Sequence, residues 1–561
     1  MKHGLLALLP PFAVAFAAAL HAAPPPVPLP AIDGAAVLEH TKVLASDEFE
    51  GRGPGTRGET LTVDYLKAQL QKMGLEPGNP DGGWVQKVPL VGTTVLGQPP
   101  LELRLGETVR TLRWRDDYVA WTKRVSESVS LEASPLVFVG YGVKAPEFQW
   151  DDYKGVDLEG KTMVVLVGDP PVSDPAHPGQ LDPAVFGGRA MTYYGRWTYK
   201  YEMGAATHAA GVLIVHETEP AGYPFSVVQG KTVEQFDVET PDGNQGRSAV
   251  EGWITLEQAR GLFAMAGKDF AALKAKAATR EFRPVELGLT ASVRLANRIR
   301  QVPSANVVAK LAGSDPKLKD EWVLYTSHWD HFGIGPAVDG DTIYRGAIDN
   351  ASGTAGQLEI ARAFARARPR PRRSILFLFV TAEEQGLLGS QWYADHPLYP
   401  LARTLADFNL DALNVHGRTR DLTIVGLGLS TLDDVLAAAA TAQGRVVRPD
   451  PTPEKGSYYR SDHFSLARKG VPSVHAGGGV EFVGKPADYG LRVLEAYIAH
   501  DYHKPSDRVR PDWDLSGAVE DLTLYLRAGY DVAQAALWPE WKPGAEFRAA
   551  REAMLKPTGG R

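Results

Sequence analysis

The fold is decided by a short segment, residues 374–384, whose sequence is SILFLFVTAEE. Ser374 to Thr381 form a nearly continuous apolar run, which is typical of a strand buried on both faces in a parallel sheet. Two adjacent carboxylates, Glu383 and Glu384, follow the strand. Because two acids at the end of a buried strand repel each other, nearby cations would stabilise them. The alternative interpretation is an acidic helix start, which the helix dipole favours.

Strands and helices alternate around this segment from residue 306 onward. Strands are predicted at 322–327, 405–410 and 471–476, and helices at 354–366, 389–393, 431–442 and 515–536. Upstream, residues 134–289 contain further strand-like runs and a helical pattern over 256–278. The sequence therefore predicts an α/β fold of three layers, α/β/α, with a mostly parallel mixed sheet and an inserted β-rich module.

This pattern divides the chain into five predicted parts. They are an export signal at 1–23, the first part of the main domain at 24–133, an inserted module at 134–290, the main part of the domain at 291–540, and a C-terminal tail at 541–561.

Composition excludes several classes of function. The 561 residues carry a formal net charge of -7 and no long Lys/Arg block, so nucleic-acid binding is not expected. The chain has no cysteine, which excludes disulfides and thiolate metal ligands. Carboxylates and imidazoles are left to hold any metal.

The N-terminus has the pattern of an export signal. A short basic start precedes the apolar stretch Leu5 to Leu20, and small residues follow it. This predicts cleavage near Ala22 or Ala23 and a periplasmic or secreted protein. The alternative is a membrane anchor, but about 16 residues interrupted by Pro10 and Pro11 are short for a span. No later segment has a comparable apolar length, so no stable membrane insertion is expected.

Candidate ligands follow predicted strands or lie in glycine-marked loops. They are His328, Asp349, Glu383, Glu384, Asp411 and His503. Taken singly, each has an ordinary explanation, such as a helix N-cap for Asp349 or a solvated loop for His328. Sites in open α/β sheets collect at the carboxyl ends of strands, so these residues are expected to meet. Two imidazoles with carboxylates suit Zn²⁺ or a similar metal, and one further carboxylate would handle protons in metal-assisted hydrolysis.

Several motifs extend this pattern along the chain. They are LASDEFEGRGPGTRGE (44–59), SHWDH (327–331), GAIDNASG (346–353), TAEEQGLLGS (381–390), FNLDAL (408–413), YRSDHFSLARKGVP (459–472) and YHKPSD (502–507). In this order they resemble the di-zinc aminopeptidases that include bacterial leucyl aminopeptidase and aminopeptidase Y. Glutamate carboxypeptidase II and the transferrin receptor share that fold. The resemblance implies two zinc ions, with Co²⁺ or Mn²⁺ also possible, and peptide substrates.

The resemblance also implies a role for each residue. Asp349 would bridge both ions, His328 and Asp411 would complete one metal, and Glu384 and His503 the other. Glu383 matches the general base, and Asp330 matches the residue that orients His328. Tyr458, or the adjacent Tyr459, would stabilise the tetrahedral intermediate. The peptide bond between Asp349 and Asn350 is expected to be cis.

The inserted module resembles a protease-associated domain at 140–171 and 200–216, which implies a position beside the active-site cleft. The function implied is that of an exported aminopeptidase. A carboxypeptidase is the main alternative, and it would need cations such as Arg189 or Arg196 to bind a substrate carboxylate. A glutaminyl cyclase relative with one metal and a non-catalytic, receptor-like protein are the others.

Overall fold

The computed structural model describes residues 27–230 and 234–556. The predicted export signal, including Ala22 and Ala23, lies outside these residues. Within the described part, no helix has both the length and the apolar character needed to cross a membrane.

The main sheet is formed mostly by the C-terminal half of the chain and includes one earlier strand, Val85–Leu96. Its strands are β1 (Val85–Leu96), β2 (Val285–Leu311), β3 (Trp322–His328), β4 (Ser374–Val380), β5 (Thr404–Asn409), β6 (Asp421–Val425), β7 (Val446–Pro449) and β8 (Ser473–Gly478). Their spatial order is β1-β2-β4-β3-β5-β8-β6-β7. The neighbours β4, β3, β5 and β8 are parallel, as are β6 and β7, whereas β1–β2, β2–β4 and β8–β6 are antiparallel. The predicted α/β class with a mostly parallel mixed sheet is confirmed.

Helices cover both faces of this sheet. The helices that cover the sheet or lie between and after its strands are α1 (Gly34–Leu44), α2 (Arg57–Lys72), α3 (Gly353–Arg366), α4 (Leu388–Asp395), α5 (Leu432–Ala442), α6 (His463–Arg468), α7 (Tyr489–His500), α8 (Ser516–Gln534) and α9 (Arg548–Leu555). Alternate side chains of each central strand point to opposite faces. Tyr325 and Phe377 thus belong to the apolar cluster that includes α3 and α8, whereas Leu324 and Leu376 pack with residues of α4 and α6. Both faces are apolar, which explains the continuous hydrophobic run in β4.

A second lobe is built from residues between β1 and β2. Its longer strands are Leu101–Leu105, Thr108–Leu112, Tyr118–Trp121, Ser128–Phe138, Thr162–Leu166, Gly211–His216, Glu234–Val238 and Val250–Thr255, and its longer helices are Trp197–Ala206, Leu256–Met265 and Phe270–Ala277. The 27-residue strand β2 joins the lobes, because its first part pairs with Ser128–Phe138 and its last part with β4. The boundaries 134 and 290 of an inserted domain stay a prediction.

The helical pattern over 256–278 corresponds to two helices that are separated by a short turn. Two helices, Leu256–Met265 and Phe270–Ala277, occupy this stretch. Gly267 adopts a φ of 64°, which favours glycine and ends the first helix. The Asp269 carboxylate then accepts a hydrogen bond from the Ala272 amide at 3.1 Å and caps the second helix.

The packing of α8 on β3 leaves no room at Gly529. A Cβ added there would overlap the Tyr325 hydroxyl, which is buried and donates a hydrogen bond to the Tyr525 carbonyl at 2.8 Å. We therefore expect Gly529→Ala to lower the free energy of unfolding by about 1 to 3 kcal/mol, although alanine is the better helix former. Urea denaturation measures the change.

Gly261 provides the matched control, since it also lies inside a helix but would meet only the Arg110 side chain, which can move. Gly261→Ala should leave stability unchanged or raise it slightly. Equal effects of the two substitutions would contradict the packing described for α8.

Candidate metal centre

Three neighbouring parallel strands carry acidic or imidazole groups at their carboxyl ends. His328 is the last residue of β3, Glu383 and Glu384 follow β4, and Asp411 follows β5. Because β4, β3 and β5 are adjacent and parallel, their ends lie at the same edge of the sheet. The fold therefore brings these four side chains together, as the sequence predicts.

Asp349 enters the site from the turn before α3. The peptide bond between Asp349 and Asn350 is cis, as the resemblance implies. Asp507 fixes this turn, because its buried carboxylate accepts hydrogen bonds from the amides of Ile348 at 3.0 Å and Asp349 at 3.1 Å. Asp507, the last residue of the YHKPSD motif, therefore holds the turn that carries Asp349.

The two carboxylate oxygens of Asp349 face two different groups. Its Oδ1 lies 3.3 Å from Nε2 of His328, which is also 3.3 Å from Oδ1 of Asp411. Its Oδ2 lies 3.2 Å from Nε2 of His503, which is 3.1 Å from Oε2 of Glu384. The five predicted ligands therefore form two groups that share Asp349, an arrangement suited to two ions.

His331 is a member of the site that the sequence analysis did not assign. Its Nδ1 lies 2.5 Å from Oε1 of Glu384, and it forms a potential ligand group with Asp349 and Glu384. The signal was its place three residues after His328 in the SHWDH motif. Without the fold, its side-chain direction could not be distinguished from that of a loop histidine.

The donor set fits a bound metal. Buried side-chain atoms without a hydrogen-bond partner in the described part of the chain include Nδ1 and Nε2 of His331, Oε1 of Glu384 and Oδ2 of Asp330. Orphaned polar atoms inside a protein are costly and need an explanation. Nδ1 of His331 and Oε1 of Glu384 lie 2.5 Å apart and converge with Asp349, a grouping that fits one cation. Oxygen and nitrogen donors of this kind suit Zn²⁺.

Asp330 contacts His328 differently from the prediction. Its backbone carbonyl accepts from Nδ1 of His328 at 3.2 Å, whereas its carboxylate lies 3.8 Å away and accepts from the Glu383 amide at 3.1 Å. Burial raises the pKa of Asp330 to about 8, against the charge of His328. Asp330 therefore connects the ends of β3 and β4, and the main chain makes the hydrogen bond that orients the imidazole.

Glu383 and Glu384 are neighbours with opposite electrostatic environments. Burial raises the pKa of Glu383 well above its usual value, with His328 opposing and Glu384 adding to the shift. Burial also favours the neutral form of Glu384, but the charges of His503 and His331 outweigh it and lower the pKa to about 2. Carboxylates whose pKa values are driven apart in this way can divide acid–base and charge-binding roles.

Tyr458 packs in an apolar cluster near the site. Its ring stacks on Phe547 at 5.9 Å between centroids, and its buried hydroxyl has no hydrogen-bond partner in the described residues. The adjacent Tyr459 donates its hydroxyl to Glu546 at 3.0 Å. Tyr502, by contrast, stacks directly on His503 at 3.7 Å. The catalytic role predicted for Tyr458 or Tyr459 stays a prediction, and Tyr502 is a further candidate that the sequence did not indicate.

Arg52, from the N-terminal EGRGPG segment, supports the loops around the centre. Its buried guanidinium donates to the carbonyls of Leu44, Trp329, Arg345 and Gly346 at 2.6 to 2.9 Å. Trp329 follows His328, and Gly346 precedes the turn that carries Asp349. One side chain thus connects three separate segments, which explains why the N-terminal motif accompanies the others.

Replacing the guanidinium group of Arg52 by an amine tests whether this side chain holds the three segments together. Arg52→Lys keeps the charge but leaves several buried carbonyls without a donor, so we expect a loss of about 2 to 4 kcal/mol in the free energy of unfolding. Arg57→Lys is the matched control, since Arg57 is 56% exposed and pairs with Glu50. That change should cost less than about 1 kcal/mol. If urea denaturation shows that Arg52→Lys leaves the free energy of unfolding unchanged, the supporting role of Arg52 is contradicted.

Fold and site together define an α/β domain with a candidate two-ion centre at the carboxyl edge of its parallel strands. Residues 306–527, less than half of the 561-residue chain, match the model of peptidase family M28. The resemblance inferred from the motifs is thereby confirmed over the segment that carries all the predicted metal ligands.

Individual relatives match shorter or more divergent stretches. Aminopeptidase NAALADL1 of Mus musculus is 35% identical over 130 residues, 22% of this chain and 16% of that protein. Leucine aminopeptidase 2 of Trichophyton rubrum is 27% identical over 224 residues, 36% of this chain and 40% of that protein. The chain thus spans less than half of the length of either relative.

Solved structures of similar proteins include an aminopeptidase from Aneurinibacillus sp. strain AM-1, with 20% identity, 90% of this chain and 94% of that chain covered, and a TM-score of 0.49. Another is the zinc aminopeptidase BSAP from Bacillus subtilis, with 17% identity, 93% and 98% coverage, and a TM-score of 0.43.

Proposed function

We propose that this protein is an exported, zinc-dependent exopeptidase that removes N-terminal residues from peptides. The observation that carries the proposal is the position of Asp349, whose two oxygens face His328 with Asp411 on one side and His503 with Glu384 on the other. The M28 match over the same residues supports peptide hydrolysis, and the names of the relatives support an aminopeptidase.

Bound zinc would polarise the scissile carbonyl and make a water molecule acidic enough to attack it. His328, Asp349 and Asp411 would hold one ion, and Asp349, Glu384 and His503 the other, with His331 against Glu384. Co²⁺ or Mn²⁺ would suit the same donors.

Glu383 is the acidic group left to move protons. Its Oε2 is 3.9 Å from Nε2 of His328, so Glu383 borders the metal centre. The carboxylates of Asp349, Glu384 and Asp411, by contrast, belong to the two ligand groups. It would take the proton from the attacking water and deliver it to the departing amine. A tyrosine hydroxyl would stabilise the oxyanion. Tyr458, or the adjacent Tyr459, is the residue expected from the sequence, and the stacking of Tyr502 on His503 makes Tyr502 a further candidate.

Two parts of the proposal originate in the sequence, the export signal and the inserted module. The export signal at 1–23 supports a periplasmic or secreted location. The module at 134–290 is proposed to be a protease-associated domain bordering the cleft, which is supported by contacts of Tyr193 and Tyr199 with the cluster that contains Tyr458. A carboxypeptidase remains the second candidate function, since it would use the same metal residues.

The general-base assignment predicts a separation of metal binding from catalysis. Glu383→Ala should keep close to two divalent ions per chain but lower the rate of aminoacyl-p-nitroanilide hydrolysis by about 10²- to 10⁴-fold. Elemental analysis and steady-state kinetics give the two readouts. Glu384→Ala is the matched control, because removing a ligand should lower both the metal content and the activity.

Unchanged hydrolysis by the Glu383→Ala protein would exclude this mechanism. One ion per wild-type chain would favour the cyclase alternative, and none would favour a binding protein.

A further inference from the structure

A short run of arginines connects the end of α3 to β4, and we call residues 366–372, RARPRPR, the arginine turn. Its exposed side chains are Arg366, Arg368, Arg370 and Arg372. Within the described part of the chain, only Arg372 has a carboxylate partner, Asp315 at 2.7 Å. Because the whole chain has a net charge of -7, three neighbouring arginines without an acidic partner are a local exception.

The backbone of the arginine turn is held in one shape. The amide of Ser314, in the neighbouring loop 312–321, donates to the Pro371 carbonyl at 2.8 Å. The hydroxyl of Tyr530, in α8, donates to the Pro369 carbonyl at 3.0 Å. The two prolines also fix their own φ angles. The arginine side chains therefore extend from a backbone that a partner would not have to order on binding, which lowers the entropic cost of association.

Loop 312–321 adds two more exposed cations, Lys317 and Lys319. The acidic side chains of this neighbourhood already face arginines: Asp315 pairs with Arg372, Asp320 lies 3.8 Å from Arg403, and Glu321 pairs with Arg373. We call the six exposed cations the basic surface; they are the four arginines of the arginine turn together with the two lysines. Most of its positive charge is uncompensated by the protein.

The basic surface lies at the edge of the sheet opposite the candidate metal centre. Arg373 directly precedes β4, whereas Glu383 follows the carboxyl end of the same strand. The seven residues of β4 separate the two edges by about 23 Å. A partner bound at the basic surface would therefore leave the metal centre open.

The chain enters the described structure at the same edge. Arg527 of α8 donates to the carbonyl of Val27, and its guanidinium lies 5.7 Å from the ring centroid of Tyr530, the residue that contacts the arginine turn. Leu20, which ends the N-terminal apolar stretch, precedes Val27 by seven residues, so it lies within about 25 Å of it. A membrane that holds this stretch, before or without cleavage, would face the basic surface.

We propose that the basic surface binds the protein to the surface of an anionic phospholipid bilayer, with the metal centre directed away from it. Guanidinium groups match phosphate oxygens through paired hydrogen bonds. A cluster of several Arg and Lys beside an apolar membrane segment is typical of binding to anionic lipids, and it requires no spanning helix. The entry point of the chain favours a membrane over a nucleic acid as the anionic partner. The inference goes beyond the proposed function and does not depend on it.

Vesicle sedimentation with the purified full chain tests the proposal. The probes are vesicles of pure phosphatidylcholine and vesicles of phosphatidylcholine and phosphatidylglycerol in equal parts. In dilute buffer the wild-type protein should bind the mixed vesicles about 100-fold more tightly, and half-molar salt should remove most of this difference by screening. Each cation near an anionic surface contributes about fivefold. The combined change Arg366→Gln, Arg368→Gln and Arg370→Gln should therefore weaken binding to the mixed vesicles about 100-fold.

The matched control removes the same three charges from exposed positions of the second lobe, with Arg104→Gln, Arg260→Gln and Arg283→Gln. It should keep wild-type binding. All three proteins have the same N-terminus, so binding through the apolar stretch would be equal in all of them.

Four results would overturn the proposal, and the first requires no variant to fold. They are equal binding of the wild-type protein to both kinds of vesicle, binding that survives the substitutions in the arginine turn, a loss that the control shares, and binding to a DNA duplex without binding to the mixed vesicles.

Discussion

The burial of several carboxylates around one point, at the edge of a parallel sheet, is the constraint on which this structure depends. Asp349, Glu384 and Asp411 converge there with Asp330 and Glu383 beside them. Like charges in a poorly solvated space are unstable unless cations or hydrogen-bond donors compensate them. The surrounding structure supplies some of this compensation through His328, His331, His503 and backbone amides, and the proposed ions would supply the rest.

The same constraint explains the supporting elements. Strands β4, β3 and β5 set the separation of the strand-end ligands, because parallel pairing fixes their register up to these ends. Arg52 and Asp507 then hold the loops that the strands do not reach, one through backbone carbonyls and the other through backbone amides. The positions of the ligand side chains thus depend on backbone groups, which side chains distant in the sequence hold in place through hydrogen bonds.

Much of this could be predicted from the sequence, since the run in β4 and the strand-end positions of His328 and Asp411 are local signals. Long-range contacts could not. The roles of His331 and Arg52 depend on side-chain direction and on loops far apart in the chain, which periodicity does not encode. The helical pattern over 256–278 is present, and its division into two helices has a local reason, the left-handed Gly267 followed by the capping Asp269.

The central claim is that Asp349 lies between two ions. Anomalous diffraction at the zinc absorption edge, from crystals of the zinc-loaded protein, tests it most directly. The account predicts two peaks about 3.5 to 4 Å apart, one beside His328 and Asp411 and the other beside Glu384 and His503, with an Asp349 oxygen on each. A single fully occupied peak, or two peaks that Asp349 does not contact, would contradict it.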